Sequence, residues 1–374
     1  MTVRHFHNPI TGLMLAALIL CCMTIVTACG RKSEQATAPQ HRPTFTNPIE
    51  SGSGYHISFH DGYYYAVQGK SDHITIRRTD DITRLAESPP AIAWRSSDAG
   101  TATSIIWDPH LHLIDGRWYI YFSMGRDSDR RRIHVLRCTG DNPAEDPFRL
   151  AARIVTDPDD NLAYQPHLFS HNGKLYMIWS GWAHERVFEE TQRIYIAEMD
   201  GPLRLRSPRV EISSPNREWE CQWVGIDGNR SAYPIYVNEA PHFHTSLDGR
   251  KMLIYYSASA MWTPWHCVGR LTADADSDPL DPASWTKSDD PVFKQAPENE
   301  VYSPANVNFI PSPDSTEWFI TYQARTSLLD MFVTDNRTLR MQPVTFDADS
   351  IPLLGTPIAD GVILSKPSGI SSAR

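Results

Sequence analysis

Four histidines recur at equivalent places along the chain. Each lies five or six residues before a turn residue, in the pairs His56 and Asp61, His110 and Asp115, His167 and Asn172, and His242 and Asp248. Four neutral imidazoles at one level of a narrow channel would be good ligands for zinc, iron, manganese or nickel. The spacing therefore predicts a divalent metal site at His56, His110, His167 and His242, and no organic cofactor. The alternative is a ring of histidines bonded to water, backbone and a bound ligand.

The elements that carry these histidines are β-hairpins. Five stretches each combine an extended run, a turn and an aromatic second strand: GYHISFHDGYYYAVQG, WDPHLHLIDGRWYIYFS, YQPHLFSHNGKLYMIWS, EAPHFHTSLDGRKMLIYYS and SPANVNFIPSPDSTEWFITYQ. Asp-Gly and Asn-Gly turns between β-branched and aromatic runs are typical of hairpins. Repeats several tens of residues apart, each with several strands, are typical of propeller blades. The pattern predicts an all-β fold, one five-bladed β-propeller over residues 44–374.

Side chains two residues apart on a strand share a face, so innermost strands would line the propeller axis in layers. The predicted upper layer contains Gly54, Asp108, Gln165 and Ala240, and the histidines form the next layer. Ala305 is the fifth-blade residue that aligns best with the histidines.

The N-terminus resembles that of a bacterial lipoprotein precursor. Residues 1–28 carry one charged side chain, Arg4, before the apolar run LMLAALILCCMTIVTA, as in a secretory signal. Val26-Thr27-Ala28-Cys29 is similar to a lipobox, which implies lipidation of Cys29 and a flexible tether over residues 29–43. Gly30 after that cysteine suits the outer membrane, with the lipid anchor as the sole membrane contact. An ordinary signal peptide and an uncleaved anchor are the alternatives.

Net charge, aromatic content and cysteine count limit the possible binding partners and disulfide bonds. The formal net charge of −9 argues against nucleic acid. The 11 Trp and 15 Tyr suit surfaces that stack on sugar rings, although they are common in any β-rich protein. Beyond Cys29 the mature chain has Cys138, Cys221 and Cys267, an odd number that allows at most one bridge. A pair between Cys221 and Cys267 is left open.

The hairpins and the C-terminal half together resemble glycoside hydrolase family 43, the five-bladed propeller enzymes that include α-L-arabinofuranosidases and β-xylosidases. SIIWDPHLHLIDGRWYIYFS is similar to the family's "IWAPE" hairpin, and NGKLYMIWSGW to its third hairpin. The segment from YSASAMWTPWHCVGRL to NEVYSPANVNF resembles the arabinofuranosidase branch most specifically. The resemblance implies a carbohydrate substrate and hydrolysis of a plant or microbial glycan.

The catalytic carboxylates of the family are matched only in part. Family members use one carboxylate as a base, one carboxylic acid as a proton donor and a third carboxylate that tunes the acid. Glu239 in VNEAPHF matches the acid, whereas the base falls on Gly54 and the tuning aspartate on Gln165. A histidine associated with the family's central metal ion falls on Asn306. Neither glycine nor an amide can accept a proton from the attacking water, as a catalytic base must.

Three functions follow from this partial match. The first is hydrolysis with Glu239 as the acid and Asp108 in the base or tuning role, with Glu50 a weaker candidate. The second is a metal-dependent hydrolase or lyase that uses the histidines, and the third is a glycan-binding propeller without catalysis. Structural alternatives remain: Glu239 as a buried partner of an arginine, and Asp108 as a hydrogen-bond partner of a sugar or a histidine.

Further residues are expected to bind substrate at this site. They are Gln165, Trp107, Asn306 and Arg325. Trp107 can stack on a sugar ring or pack between blades. Arg325, in a YQAR segment similar to the family's "YHAR", can reach the substrate or tie the fifth blade to its neighbour.

Overall fold

The computed structural model describes residues 42–100, 105–126, 130–185, 190–327 and 336–370. The predicted signal peptide, most of the tether and Cys29 lie outside these residues, so lipidation and outer-membrane location stay predictions. The last two tether residues are bound to the propeller: Arg42 pairs with Glu317, and the Pro43 carbonyl accepts a hydrogen bond from Lys366. Within the described ranges, we find no helix with the length and apolarity needed to cross a bilayer.

Five blades of antiparallel strands make up the fold, in agreement with the predicted five-bladed propeller, and a parallel strand pair joins blades three and four into one sheet. Blade one contains β3 (Tyr55–His60), β4 (Tyr63–Gly69), β5 (His73–Thr79) and β6 (Ala91–Arg95). Blade two contains β7 (Ile105–Ile114), β8 (Arg117–Gly125), β9 (Arg132–Cys138) and β10 (Phe148–Ile154). Blade three contains β11 (Ala163–His171), β12 (Lys174–Gly181), β13 (Glu190–Glu198) and β14 (Val210–Ser213).

Blade four contains β16 (Arg230–Thr245), β17 (Lys251–Ala258), β18 (Cys267–Asp274) and β19 (Thr286–Lys287), with β15 (Cys221–Val224) paired to β16. Blade five contains β20 (Tyr302–Pro311), β21 (Trp318–Arg325) and β22 (Thr338–Pro343). Its fourth strand is the N-terminal β2 (Glu50–Ser51), which pairs with β22 and so closes the ring. Two short pairs complete the sheets: β1 (Thr44–Phe45) with β25 (Leu364–Ser365), and β23 (Thr345–Phe346) with β24 (Pro352–Leu353).

Among the described residues, the short helices are 3₁₀ turns in the connections between strands. They span Ile82–Glu87, Ser96–Ala99, Gly201–Leu203, Glu218–Glu220, Pro282–Ser284 and Pro297–Asn299. The hairpin turns follow the sequence prediction: Asp61, Asp115 and Asn172 have positive φ, and so does the glycine after each. Two successive left-handed residues are what a type I′ hairpin turn requires.

The hydrophobic core lies between blades rather than within one centre. Each neighbouring pair of blades buries one apolar cluster, represented by Val67 with Phe122, Tyr121 with Trp179, Ile178 with Ile254, Leu253 with Ile320, and Ile57 with Phe319. The last of these clusters joins blade five to blade one. Apolar burial therefore closes the ring at the same seam as strand β2.

The three cysteines of the described chain are free thiols. Cys138 and Cys267 are buried and Cys221 is half-buried. The structure thus contains no bridge between Cys221 and Cys267, the pairing that the sequence left open.

Candidate active site

In each blade a residue in the left-handed region lies within the innermost strand or, in blade one, directly before it. In the five blades these residues are Gly54 (φ 73°), Asp108 (φ 44°), Gln165 (φ 55°), Ala240 (φ 47°) and Asn306 (φ 52°). Around four of them, in β7, β11, β16 and β20, the pairing register shifts, as at a β-bulge. The upper layer predicted from the sequence is therefore a repeated backbone feature.

This feature corrects the alignment of blade five. Because Asn306 shares the left-handed conformation of Asp108 and Gln165, the residue two positions later, Asn308, occupies the level of the histidines. Ala305, which the sequence placed there, lies one position before the bulge. The cause is that the register of β20 shifts twice, before and after Ala305, and this cannot be read from hairpin spacing.

Hydrogen bonds from one blade to the next hold the bulges in place. The backbone N–H of Gly54 donates to Gln323 Oε1 (3.2 Å), that of Gln165 to Ser123 Oγ (3.0 Å), and that of Asn306 to Ser257 Oγ (2.9 Å). The N–H of Ala240 donates to Gln165 Oε1 (2.9 Å). Each acceptor belongs to the preceding blade, and Gln323 of blade five again closes the ring onto blade one.

A cleft of about 730 Å³ opens above these bulges. Of the predicted site residues it is lined by Trp107, Asp108, Gln165, Glu239 and Asn306. Gly54, at the position of the family's base, also lines it, and a Cβ added to Gly54 would meet no atom within 4 Å. The cleft therefore has room for a side chain at position 54.

Glu239 and Asp108 are the carboxylates among the described residues of the cleft lining. Burial raises the pKa of Asp108, and the negative charge of Glu239 raises it further. The side chain of Gln165 donates a hydrogen bond to Asp108 and opposes this shift. Since Gln165 Oε1 is bonded to Ala240, this amide links three blades and has no free role as a base.

Glu239 is held at the edge of a buried polar network. Its neighbour Asn238 donates to Glu220 Oε1 (2.8 Å), and Lys287 Nζ contacts the same carboxylate at 2.8 and 3.0 Å. Glu220 and Asn238 are fully buried. Of these two glutamates, Glu220 is thus the one that pairs with a lysine, whereas Glu239 faces the cleft.

Two arginines also line the cleft. The guanidinium of Arg131 lies 4.4 Å from the ring centre of Tyr164 and 5.0 Å from that of Trp107. Arg337 donates to Ser53 Oγ (3.2 Å), beside Gly54. Trp107 thus already packs against a cation, and sequence reasoning missed both arginines because nothing in their local sequence distinguishes them.

Two predicted residues lie elsewhere. Arg325 is buried and is not part of the cleft lining, but its charge lowers the pKa of His266. Glu50 pairs with Arg77 and is likewise outside the lining. The ion pair on Glu50 makes it a structural carboxylate at the outer edge of blade five.

The four predicted histidines do converge on the axis below the cleft. The ring centres of His56 and His110 are 4.2 Å apart and those of His167 and His242 are 4.1 Å apart. His110 Nδ1 lies 3.3 Å from His167 Nδ1. Burial lowers the pKa of all four imidazoles, and the charges of neighbouring histidines lower it further, so the ring is neutral.

The set best arranged for a metal differs from the predicted one by one residue. Single nitrogen atoms of His56, His110, His112 and His167 all lie within 4.8 Å of one another, so His112 joins the group and His242 does not. Two of these histidines also accept weak bonds from the next blade: Leu111 N–H to His56 Nδ1 (3.3 Å) and Leu168 N–H to His112 Nε2 (3.4 Å). These four histidines could therefore bind a metal ion, or they could form a belt, a ring of imidazoles that bond to the backbone of neighbouring blades.

The chain is similar to known proteins over most of its length. The profile described as "Glycosyl hydrolases family 43" matches residues 45–352. The chain is 34% identical over 372 residues to an extracellular exo-α-(1→5)-L-arabinofuranosidase of Streptomyces avermitilis, covering 97% of this chain and 71% of that relative. It is 33% identical to α-L-arabinofuranosidase 43 of Humicola insolens, covering 82% of this chain and 62% of that relative.

Solved structures agree in fold. The crystal structure of an α-L-arabinofuranosidase from Lactobacillus brevis is similar with a TM-score of 0.74 and 28% identity, over 85% of this chain and 98% of that one. A thermostable family-43 glycoside hydrolase is similar in fold with a TM-score of 0.68 at 20% identity, over 87% and 99% of the two chains.

The buried histidines predict a dependence of stability on pH. Burial lowers the pKa of His244 to about 4, below the value of about 6.5 for an unfolded imidazole. Below pH 6.5 the unfolded chain binds this proton and the folded chain does not, so stability falls as the pH drops towards 4. In urea titrations, His244→Asn should make this decline shallower by up to about 1.4 kcal/mol per pH unit.

A control separates titration from packing. The ring of Phe309 stacks on His244 with centres 4.2 Å apart. Phe309→Leu removes this contact but no titrating group, so it should lower stability at every pH and keep the wild-type slope. An unchanged slope in His244→Asn would contradict the assignment.

Proposed function

Because this chain belongs to glycosyl hydrolase family 43, we propose that it hydrolyses terminal α-L-arabinofuranosyl linkages of a polysaccharide or oligosaccharide. The named activity of the two curated relatives supports the choice of sugar. The cleft supports a mechanism in which Glu239 is the general acid and Asp108 replaces the missing base. The observation that carries this mechanism is that Glu239 and Asp108 are the two carboxylates among the described residues that line this cleft.

The chemistry follows the inverting route of two carboxyl groups. Glu239 gives its proton to the leaving glycosidic oxygen, while Asp108 takes a proton from the attacking water. A raised pKa makes Asp108 a stronger base than an ordinary aspartate. The hydrogen bond from Gln165 keeps the carboxylate oriented, so Gln165 acts on Asp108 rather than on the substrate. The sugar would lie against Trp107 and Asn306, which line the same cleft.

The acid role predicts a dependence on the leaving group. Glu239→Gln should lower kcat/KM about 100-fold or more on arabino-oligosaccharides, whose alcohol leaving group needs a proton. On a nitrophenyl arabinofuranoside, whose leaving group is stable as an anion, the loss should be below about tenfold. Equal losses on both substrates would contradict the acid role. No turnover by the wild-type protein, with arabino-oligosaccharide binding retained, would favour the glycan-binding alternative.

The base role predicts a rescue at Gly54. Asp108→Asn should lower kcat about 100-fold or more, and adding Gly54→Asp should recover at least about tenfold by restoring a carboxylate at the family's base position. Position 54 has space for a Cβ, and non-glycine residues adopt positive φ at the four equivalent positions. The matched control is Gly54→Asn in the same background, which has the shape without the base. Full activity of Asp108→Asn would rule out Asp108.

The histidine cluster supports a second function, a metal-dependent sugar hydrolase or lyase. Two ligands about 2.0–2.1 Å from a tetrahedral zinc ion lie about 3.3 Å apart, which matches the distance from His110 Nδ1 to His167 Nδ1. A cavity of about 20 Å³ beside His110 and Asn308 is large enough for one water or ion. A bound metal ion would activate water or polarise a sugar carboxylate or carbonyl. His56, His110, His112 and His167 would hold it.

Metal content distinguishes this second function from the first. If it holds, purified protein dialysed against zinc should retain about one ion per chain, and cobalt substitution should give a visible tetrahedral absorption band. His110→Ala should lose both signals, whereas His171→Ala, in the blade-three turn, should keep them. Without bound metal or a cobalt band in the wild type, the histidines form a hydrogen-bonded belt instead.

A further inference from the structure

The carboxylate of Glu239 is contacted on both of its oxygens. His266 Nε2 lies 3.3 Å from Oε1, and the hydroxyl of Tyr164 lies 3.4 Å from Oε2. His266 and Glu239 are both buried, with His266 only 1% exposed. His266 is therefore placed behind the proton donor, on the side away from solvent.

His266 lies in the loop between β17 and β18. Thr263 N–H and Oγ1 both bond to the Ala260 carbonyl, at 3.0 and 2.8 Å, and His266 N–H reaches the Thr263 carbonyl at 3.5 Å. The same loop supplies Ala260 and Trp262 to the cleft lining. One tight loop thus fixes both a wall of the cleft and the imidazole behind Glu239.

Among the described residues, Glu239 is the side chain that His266 faces within hydrogen-bonding reach. Neither ring nitrogen of His266 has a well-directed hydrogen bond to any described group, although both are buried. A buried polar ring without a hydrogen bond lowers stability, so its presence calls for an explanation. The contact of His266 with Glu239 is the explanation that the geometry offers.

The charge state of His266 suits a neighbour of a proton donor. Burial lowers the pKa of His266, and the charges of Arg337 and Arg325 lower it further against the opposing effect of Glu239. The imidazole is therefore neutral. A permanent cation at this distance would favour the ionised carboxylate and remove the acidic proton, whereas a neutral imidazole can orient the carboxyl group without ionising it.

We propose that His266 is a positioning residue for the general acid, which holds Oε1 of Glu239 so that the carboxyl group presents its proton to the glycosidic oxygen. This role rests on the proposed function of Glu239. In this proposal, the imidazole of His266 in blade four supports the acid. Gln165 in blade three occupies the position at which the resemblance to the family implies a carboxylate that tunes the acid. Arg325 and Arg337 belong to the same arrangement, because their charges add to the effect of burial on the pKa of His266.

The test compares two substrates in two variants. His266→Ala should lower kcat/KM at least about tenfold on arabino-oligosaccharides and less than about threefold on a nitrophenyl arabinofuranoside, because the latter needs little help from the acid. His266→Gln, whose neutral amide can still reach Glu239, should recover most of the loss. Turnover of the activated substrate also reports that each variant is folded.

The outcomes separate this inference from the function on which it rests. If Glu239→Gln shows the substrate split but His266→Ala does not, because it affects both substrates equally or neither, then His266 is not a positioning residue. If Glu239→Gln itself shows no split, the acid role fails and the role of His266 fails with it. A split in both, with recovery in His266→Gln, supports the inference.

Discussion

One backbone constraint governs this propeller: a left-handed residue where each innermost strand enters the axis. A non-glycine residue in this region is unfavourable by roughly 1 kcal/mol or more, yet four of the five blades place one there. In three of these four blades the preceding blade accepts the N–H of the left-handed residue, which offsets part of the cost, and the N–H of Gly54 is bonded in the same way. Ring closure and local strain are thus coupled, and Gly54, Asp108, Gln165 and Asn306 line the cleft.

The same constraint accommodates residues as different as glycine and glutamine at these positions. Glycine adopts positive φ without a steric penalty, and the amide of Gln165 binds both Ala240 and Asp108. Among the described residues of the cleft lining, Asp108 and Glu239 are the two carboxylates, and the negative charge of Glu239 raises the pKa of Asp108.

Below the cleft, the chain fills the axis with imidazoles that burial keeps neutral. Such a channel avoids buried charge without becoming apolar, since neutral rings can bond to the backbone of the next blade, as His56 does with Leu111. Asn308 performs the same task in blade five, where its Oδ1 accepts the N–H of Ile57 at 2.6 Å. In blade five, where the ring of blades closes, an amide therefore takes the place that an imidazole has in the other four blades.

How much of this was readable from the sequence differs between the fold and the site. The five hairpins and the level of His56, His110, His167 and His242 follow from local rules, because Asp-Gly and Asn-Gly turns and strand alternation act over a few residues. Asn308, His266 and the entry of His112 into the possible metal-binding group were beyond reach for another reason. Their positions depend on register shifts, ring orientations and a loop folded against a distant strand, and long-range packing sets these. The pairing of His266 with Glu239 in particular arises only when the loop after β17 folds back over β16, a contact that no spacing in the chain encodes.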